Sequence, residues 1–283
     1  MSGHERAANY PLGTGDAERD RLIRQAQRFA PLTERVLRMA GIGVGQSVLD
    51  IGSGVGDVAL LLARIVGSAG EVVGVERDPR SLARASARTT EAGLSNIRFI
   101  QSDVSQIPSI KSFDAAVGRF VLMYMPAPAE TLRAISRLVR PGGAVVFQEP
   151  SFVPVRALWG RLPLWSAAVD LLVEAFRQSG ANPEIGTELH EVFQRAGLPA
   201  PELHMDIPIG YAKEADFSEG ICDLLASLKP QIEQFGLNVD AVGDFGTLPG
   251  RLQAELVQSN AAGPWIGALV AAWSRKLAEN PAP

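Results

Sequence analysis

Val48-Leu49-Asp50-Ile51-Gly52-Ser53-Gly54-Val55-Gly56-Asp57 runs from a short apolar segment through three alternating glycines to an acidic residue. The pattern reads as a strand over Ser47–Ile51, a tight turn over Gly52–Gly56 and an apolar helix over Asp57–Val66. Glycines let the backbone pass close to a ligand, and the first turn of the following helix presents free amides, so something small and polar belongs there. The spacing is Gly-x-Gly-x-Gly. In the dinucleotide fingerprint Gly-x-Gly-x-x-Gly the third glycine stands one place later. Asp50, two residues before the turn, would repel a pyrophosphate and attract an ammonium group, which favours a cationic ligand over NAD.

Working outward, strand and helix alternate. A second strand spans Glu71–Glu76, Asp78-Pro79 suits an N-cap and first helical position, and the helix that follows ends near Gly93. Further strands are expected over Ile97–Gln101, Asp114–Gly118 and Ala144–Gln148. A helix over Pro128–Arg140 and a turn at Pro141-Gly142-Gly143 precede the last of these. Such crossovers imply an α/β fold, a mostly parallel seven-stranded Rossmann-like sheet with helices on both faces. Upstream, Asp16 to Met39 carries apolar residues at helical spacing with a break expected at Pro31. Beyond Pro150 the rhythm becomes helical and aromatic, with Trp159, Trp165 and Phe176. A helix over Thr187–Ala196, a strand near His204–Ile209, mainly helical residues 213–262 and a last strand over Trp265–Trp273 follow. The expected division is a helical cap over residues 1–40, a core over 41–150, and completion of the sheet over 151–283 with cap insertions at about 151–180 and 213–262.

The bulk properties narrow the partners. In 283 residues, 46% are hydrophobic and 20% charged, an ordinary globular composition. A formal charge of −4 offers no field for gathering nucleic-acid phosphates. Cys222 is the single cysteine, and His4, His190 and His204 lack metal-ligand spacing, so no metal is expected. With no signal-like N-terminus and no run near the roughly 18 apolar residues of a membrane span, a cytoplasmic location without membrane insertion is the expectation.

The glycine turn, taken with the segments after it, resembles the first motif of class I S-adenosylmethionine-dependent methyltransferases, and the later motifs follow in family order over residues 45–150. Within that family the series is most similar to the small-molecule branch of ubiquinone and menaquinone C-methyltransferases. S-adenosylmethionine carries an ammonium, a sulfonium and a carboxylate that the turn's amides can receive. The resemblance implies contact with the cofactor at Asp50, Gly52, Ser53 and Gly54. It implies that Glu76, about twenty residues on, binds two ribose hydroxyls; a surface acid at a strand end is the other reading. Arg77 departs from the apolar residue usual at its position and could stack on adenine or point to solvent. In Gln101-Ser102-Asp103-Val104, Asp103 would accept from the adenine amino group and the Val104 amide donate to the ring; Asp103 could instead cap a helix. Phe113 to Phe120 resembles the fourth-strand motif, so Gly118 and Arg119 should line the methionine part, while Asp114 fixes the strand's start. Tyr10 and Gln25 stand where related enzymes fold an N-terminal helix over the cofactor, although both also suit simple helix packing.

The implied activity is methyl transfer to oxygen, nitrogen or carbon of a small organic acceptor lying under the cap, with Phe152, Trp159 and Trp165 excluding water. Two alternatives share the core: an NAD(P)-dependent oxidoreductase and a non-catalytic S-adenosylmethionine-binding protein. No catalytic residue is assigned. If the acceptor must lose a proton, Glu149 at the exit of strand five and His190 are the bases to weigh against a strand-end carboxylate and a solvent-facing histidine. Nucleic-acid chemistries lack their marks: Gly118-Arg119-Phe120-Val121 follows strand four, and Cys222 has no neighbouring proline.

Overall fold

The computed structural model describes residues 10–13, 15–107, 112–211 and 218–277. His4 and residues 213–217 of the expected cap insertion lie outside them.

Helix α1 (Asp16–Met39) precedes five strands: β1 (Ser47–Ile51), β2 (Glu71–Glu76), β3 (Ile97–Gln101), β4 (Phe113–Arg119) and β5 (Val139–Ser151). Between them run α2 (Asp57–Val66), α3 (Pro79–Glu91) and α4 (Pro128–Ser136). The seven-stranded sheet has the order β3-β2-β1-β4-β5-β9-β6. Its first five strands pair in parallel, whereas β9 (Ala268–Arg275) is antiparallel to both β5 and β6 (Glu202–Asp206). The chain therefore builds outward from β1 on one side and restarts beside it with β4. That reversal opens a crevice at the carboxyl ends of β1 and β4, where open α/β sheets bind ligands.

Helices cover both faces, so the inner strands are buried throughout, as parallel strands require. Alternation along β1 divides the core. Leu49 and Ile51 face one cluster with Val73, Leu122 and Phe147, and Val48 faces the other with Leu62, Val72 and Trp273. Helix α1 joins the two, contributing Phe29 to the first and Val36 and Leu37 to the second. The expected break at Pro31 does not occur, and Pro31 sits inside an unbroken helix. The missing N–H costs one intrahelical bond, but the buried residues on either side hold the helix in place.

Downstream, α5 (Val153–Trp159), α6 (Pro163–Gln178), α7 (Ile185–Arg195), α8 (Glu219–Ser227), α9 (Lys229–Gln234) and α10 (Leu248–Gln258) pack beside the sheet. Trp159 and Trp165 stack 4.4 Å apart, both fully buried. Carboxylates close two helix starts here. Glu184 accepts from the amides of Phe152 (2.9 Å) and Val153 (3.0 Å), and Glu255 from those of Leu164 and Trp165 (both 3.0 Å). Among the described residues, no helix is long and apolar enough to cross a membrane, and no group of three or more His, Cys, Asp or Glu is placed to hold a metal.

Several expected boundaries shift for tertiary reasons. Helix α4 stops at Ser136, and Pro141-Gly142-Gly143 lies inside β5 at a register irregularity between Phe113 and Ala115. Gly142 keeps a positive φ (+76) there, and the stretch is tied to the chain just after β9 by Gly142 N–H to the Lys276 carbonyl (2.8 Å) and Lys276 N–H to the Gly143 carbonyl (2.9 Å). The last strand starts at Ala268, because residues 262–264 form β8 and pair with β7 (Ile209–Tyr211) in a separate two-stranded sheet.

Candidate functional site

The three glycines of the turn all have positive φ. At Gly52 (φ +64) an added Cβ would lie 2.8 Å from a Val121 methyl, so the loop after β4 closes down on the turn. At Gly54 (φ +52) nothing stands within 4 Å of that position, so the backbone borders open space. Ser53 N–H donates to the Val75 carbonyl (2.9 Å), which aligns the turn with the end of β2.

From that strand end Glu76 reaches back. One carboxylate oxygen accepts from Gly54 N (3.0 Å); the other accepts from Arg77 N (2.8 Å) and Asp78 N (2.9 Å). A carboxylate oxygen has two acceptor positions, so the oxygen on Gly54 keeps one for a hydroxyl. Asp78 caps α3 as its sequence suggested, taking the amides of Arg80 and Ser81. Its pKa is lowered by those bonds and the Ser81 hydroxyl, which outweigh burial.

One groove brings together ten of the twelve residues singled out from sequence: Tyr10, Gln25, Gly52, Ser53, Gly54, Glu76, Arg77, Asp103, Val104 and Arg119. Asp50 and Gly118 lie behind its wall. At Gly118 a Cβ would come within 2.3 Å of the Phe147 ring, so that glycine serves strand packing and not the groove surface. Asp50 is 1% exposed, and burial raises its pKa to about 8 against the opposing pull of Arg119. The Ala59 amide donates to it, while its Oδ2 and the Ser53 hydroxyl are buried without a hydrogen-bond partner. Asp50, expected to meet an ammonium group directly, thus lies beneath the turn and not on the groove surface.

Arg119, at the end of β4, is half-buried and donates to Thr33 of α1 (3.1 Å). Desolvation lowers its pKa, and Asp57 and Asp50 oppose the shift. Asp57 is paired with Arg88 at 2.7 Å.

Helix α1 forms the roof. Glu18 and Arg21, both buried, make a two-pronged ion pair (2.7 and 2.6 Å). Arg21 also binds Gln25, and Ser227 of α8 donates to Glu18 (2.8 Å). Tyr10 donates to Glu18 (3.2 Å) and meets Tyr124 edge-on at 5.1 Å. Burial raises the pKa of both phenols, so each remains protonated at neutral pH.

Below this roof lies a second, mainly apolar cavity lined by Phe29, Met123, Phe152, Phe176, Leu224 and Ile266 among others. It shares Tyr10, Leu22, Gln25, Phe120 and Tyr124 with the first groove, so the two spaces meet at one wall. Of the aromatic residues expected to screen such a cavity, Phe152 lines it; Trp159 and Trp165 pack within the helical layer instead.

Neither residue weighed as a base reaches these spaces. His190 is exposed on α7. Glu149 is wholly buried, and its carboxylate accepts the amides of Val121, Leu122 and Met123. Sequence reasoning passed over Glu18, Arg21, Phe120 and Tyr124. For α1 the signal was present: Glu18, Arg21, Leu22, Gln25 and Phe29 share one helical face, and charges on a face that is otherwise apolar mark a buried polar cluster. Phe120 and Tyr124 carried no comparable pattern.

Residues 42–197, more than half of the chain, match the family model for a methyltransferase domain. The ubiquinone/menaquinone biosynthesis C-methyltransferase of Azotobacter vinelandii is 32% identical over 161 residues, 56% of this chain and 60% of that protein. A demethylmenaquinone methyltransferase of Staphylococcus aureus is 32% identical over 119 residues, 42% of this chain and 48% of that protein. The chain thus spans less than two thirds of each of these relatives. Among solved structures, a candidate methyltransferase from Bacillus halodurans C-125 superposes with a TM-score of 0.57 at 17% identity, over 86% of this chain and 98% of that one. That likeness shows the fold.

Proposed function

Because the chain belongs to the methyltransferase domain family, we propose that it binds S-adenosylmethionine in the groove above β1 and transfers the methyl group to a small, largely apolar acceptor in the adjoining cavity. The observation that carries this reading is the shared wall: a polar groove built from β1, β2 and β4 meets an apolar cavity at Tyr10, Leu22, Gln25, Phe120 and Tyr124.

The groove suits the cofactor on the chain's own chemistry. The backbone at Gly54 borders open space, Glu76 retains an acceptor position, and one Asp50 oxygen and the Ser53 hydroxyl lie beneath without partners. In this reading Glu76 takes the ribose hydroxyls, Asp103 and the Val104 amide take the adenine edge, and Arg77 covers the ring. Arg119 and the Gln25 amide hold the methionine carboxylate, and Tyr10, whose hydroxyl is held on Glu18, lines the groove beside them. Asp50, largely protonated in the free protein at neutral pH, would release its proton as the ligand's positive charge arrives and offset that charge from below.

When bound, S-adenosylmethionine supplies a methyl group on a sulfonium, already activated for displacement. The protein's contribution is alignment, which can account for a large part of such a barrier. Phe120 and Tyr124 set the direction from groove to cavity, α1 and the helices after Pro150 form the cap, and the phenols of Tyr10 and Tyr124 can orient an acceptor oxygen by hydrogen bonds. The negative net charge supports a small-molecule acceptor over a nucleic acid.

The test is calorimetry of the full chain with S-adenosylmethionine and with NAD, followed by labelled-methyl transfer to a panel of apolar oxygen, nitrogen and carbon acceptors. Micromolar binding of S-adenosylmethionine and transfer to at least one acceptor are expected. Binding of NAD in its place would refute the reading.

A further inference from the structure

We infer that Glu149 is a positioning residue: its buried carboxylate sets the wall between the two cavities by holding the turn at residues 121–123. The inference rests on the methyltransferase reading above. One carboxylate oxygen accepts from Val121 N (2.9 Å) and Leu122 N (2.8 Å), the other from Met123 N (3.3 Å). Three successive amides therefore converge on one side chain at the end of β5.

What that side chain holds is the wall itself. Phe120 and Tyr124 line both spaces, Val121 and Met125 line the groove, and Met123 lines the cavity. The segment enters its turn under strain, because Phe120 has φ +57, a left-handed conformation costly for an aromatic residue. Phe120 N–H is fixed on the Gln148 carbonyl (2.9 Å), and Asn182 N–H on that of Met123 (2.7 Å). Between these two backbone anchors Glu149 is the only side chain among the described residues to which the turn's amides are bonded. Val121 also sets how near the loop comes to Gly52. A shift at Glu149 would therefore move the groove and the cavity together. Glu149 itself touches neither space, so it acts through the loop and not on substrate.

Glu255 offers an internal control, since it receives two helix-start amides in the same manner but lines neither space. The experiment compares the full chain with Glu149→Gln, Glu149→Ala and Glu255→Gln. The readouts are S-adenosylhomocysteine affinity by calorimetry, thermal unfolding, and amide exchange at residues 121–123. Glutamine keeps one acceptor oxygen and turns an N–H₂ toward the Met123 amide. Glu149→Gln should thus weaken S-adenosylhomocysteine about tenfold and speed exchange at those amides, with a larger loss in Glu149→Ala. Glu255→Gln should lower the unfolding temperature and leave affinity unchanged. Wild-type affinity in folded Glu149→Gln, or equal losses of affinity in Glu149→Gln and Glu255→Gln, would overturn the inference. Should Glu149→Ala not fold, glutamine and the exchange data decide. Failure of the wild-type chain to bind S-adenosylhomocysteine would instead count against the methyltransferase reading.

Discussion

Replacing Asp50 with asparagine should make the protein more stable in mildly alkaline buffer and, at the same time, a poorer binder of S-adenosylmethionine. Burial lifts the Asp50 pKa from 3.8 to about 8, with Arg119 opposing and Asp57 assisting. The unfolded chain ionises this group near pH 4, so up to about pH 8 the folded state keeps a proton that the unfolded state has released. Stability from Asp50 is therefore fully present below about pH 4 and is lost as pH rises through about 8. At about 1.4 kcal/mol per pKa unit, the loss is bounded at roughly 6 kcal/mol. Asparagine does not titrate, but its buried N–H₂ meets no acceptor and costs about 1–3 kcal/mol at any pH. The variant should thus be the less stable protein at pH 4 and the more stable one, by roughly 3 kcal/mol, at pH 9. Urea unfolding of both proteins at intervals between these pH values measures the crossing. Glu149, which burial raises to about 7, titrates in both proteins and cancels in the difference. A constant offset across the range would refute the reasoning. Calorimetry at pH 8 measures the other half, where loss of the charge beneath the turn should weaken S-adenosylmethionine about tenfold, or about 1.4 kcal/mol.

Other perturbations address other parts of the site. Glu76→Ala should weaken S-adenosylhomocysteine by about 1.5–3 kcal/mol, the scale of a hydrogen bond to a charged group, and unchanged affinity in calorimetry would assign Glu76 to the turn's architecture alone. Gly54→Val puts a branched side chain at φ +52, into the open groove; a folded variant that binds S-adenosylhomocysteine normally would remove the turn from the site. Arg21→Leu leaves Glu18 buried and without its ion pair, so a loss of about 3–5 kcal/mol in urea unfolding is expected. A loss under about 1 kcal/mol would mean that α1 is held mainly by its apolar contacts. Hydrogen exchange with cofactor and acceptor bound should slow in α1, in residues 151–180 and in the described part of 218–262. Slowing confined to the strand ends would contradict a cap.

Much of the core was legible because its signals are local. The glycine turn, Asp78-Pro79 at a helix start and the apolar runs of the inner strands each follow from backbone conformation or burial over a few residues. Strands β1, β2 and β3 and helix α2 accordingly fall at their expected positions. Errors gathered where the deciding force lay far along the chain. Pro31 reads as a helix break until Phe29 and Val36 are seen packed in different layers, and Trp265 reads as the start of the last strand, although β8 pairs with β7 just before it and the sheet strand begins only at Ala268.

The sequence by itself determined the α/β class and most of the groove's polar residues, because the β1 and β2 ends are spaced by their own secondary structure. Only the tertiary structure decided the rest. Asp50 reads as a carboxylate open to the turn's ligand, yet helices on both sides of the sheet bury it, and that burial, aided by the nearby Asp57 and Glu76 charges, raises its pKa. Glu149 reads as a strand-end acid or a base, yet the parallel order β1-β4-β5 brings the loop after β4 over its carboxylate. Tyr10 and Tyr124 become neighbours across more than a hundred residues because α1 folds back over the crevice. Charge, pKa and proximity depend on what surrounds a side chain in space, and no local pattern of residue types encodes those surroundings.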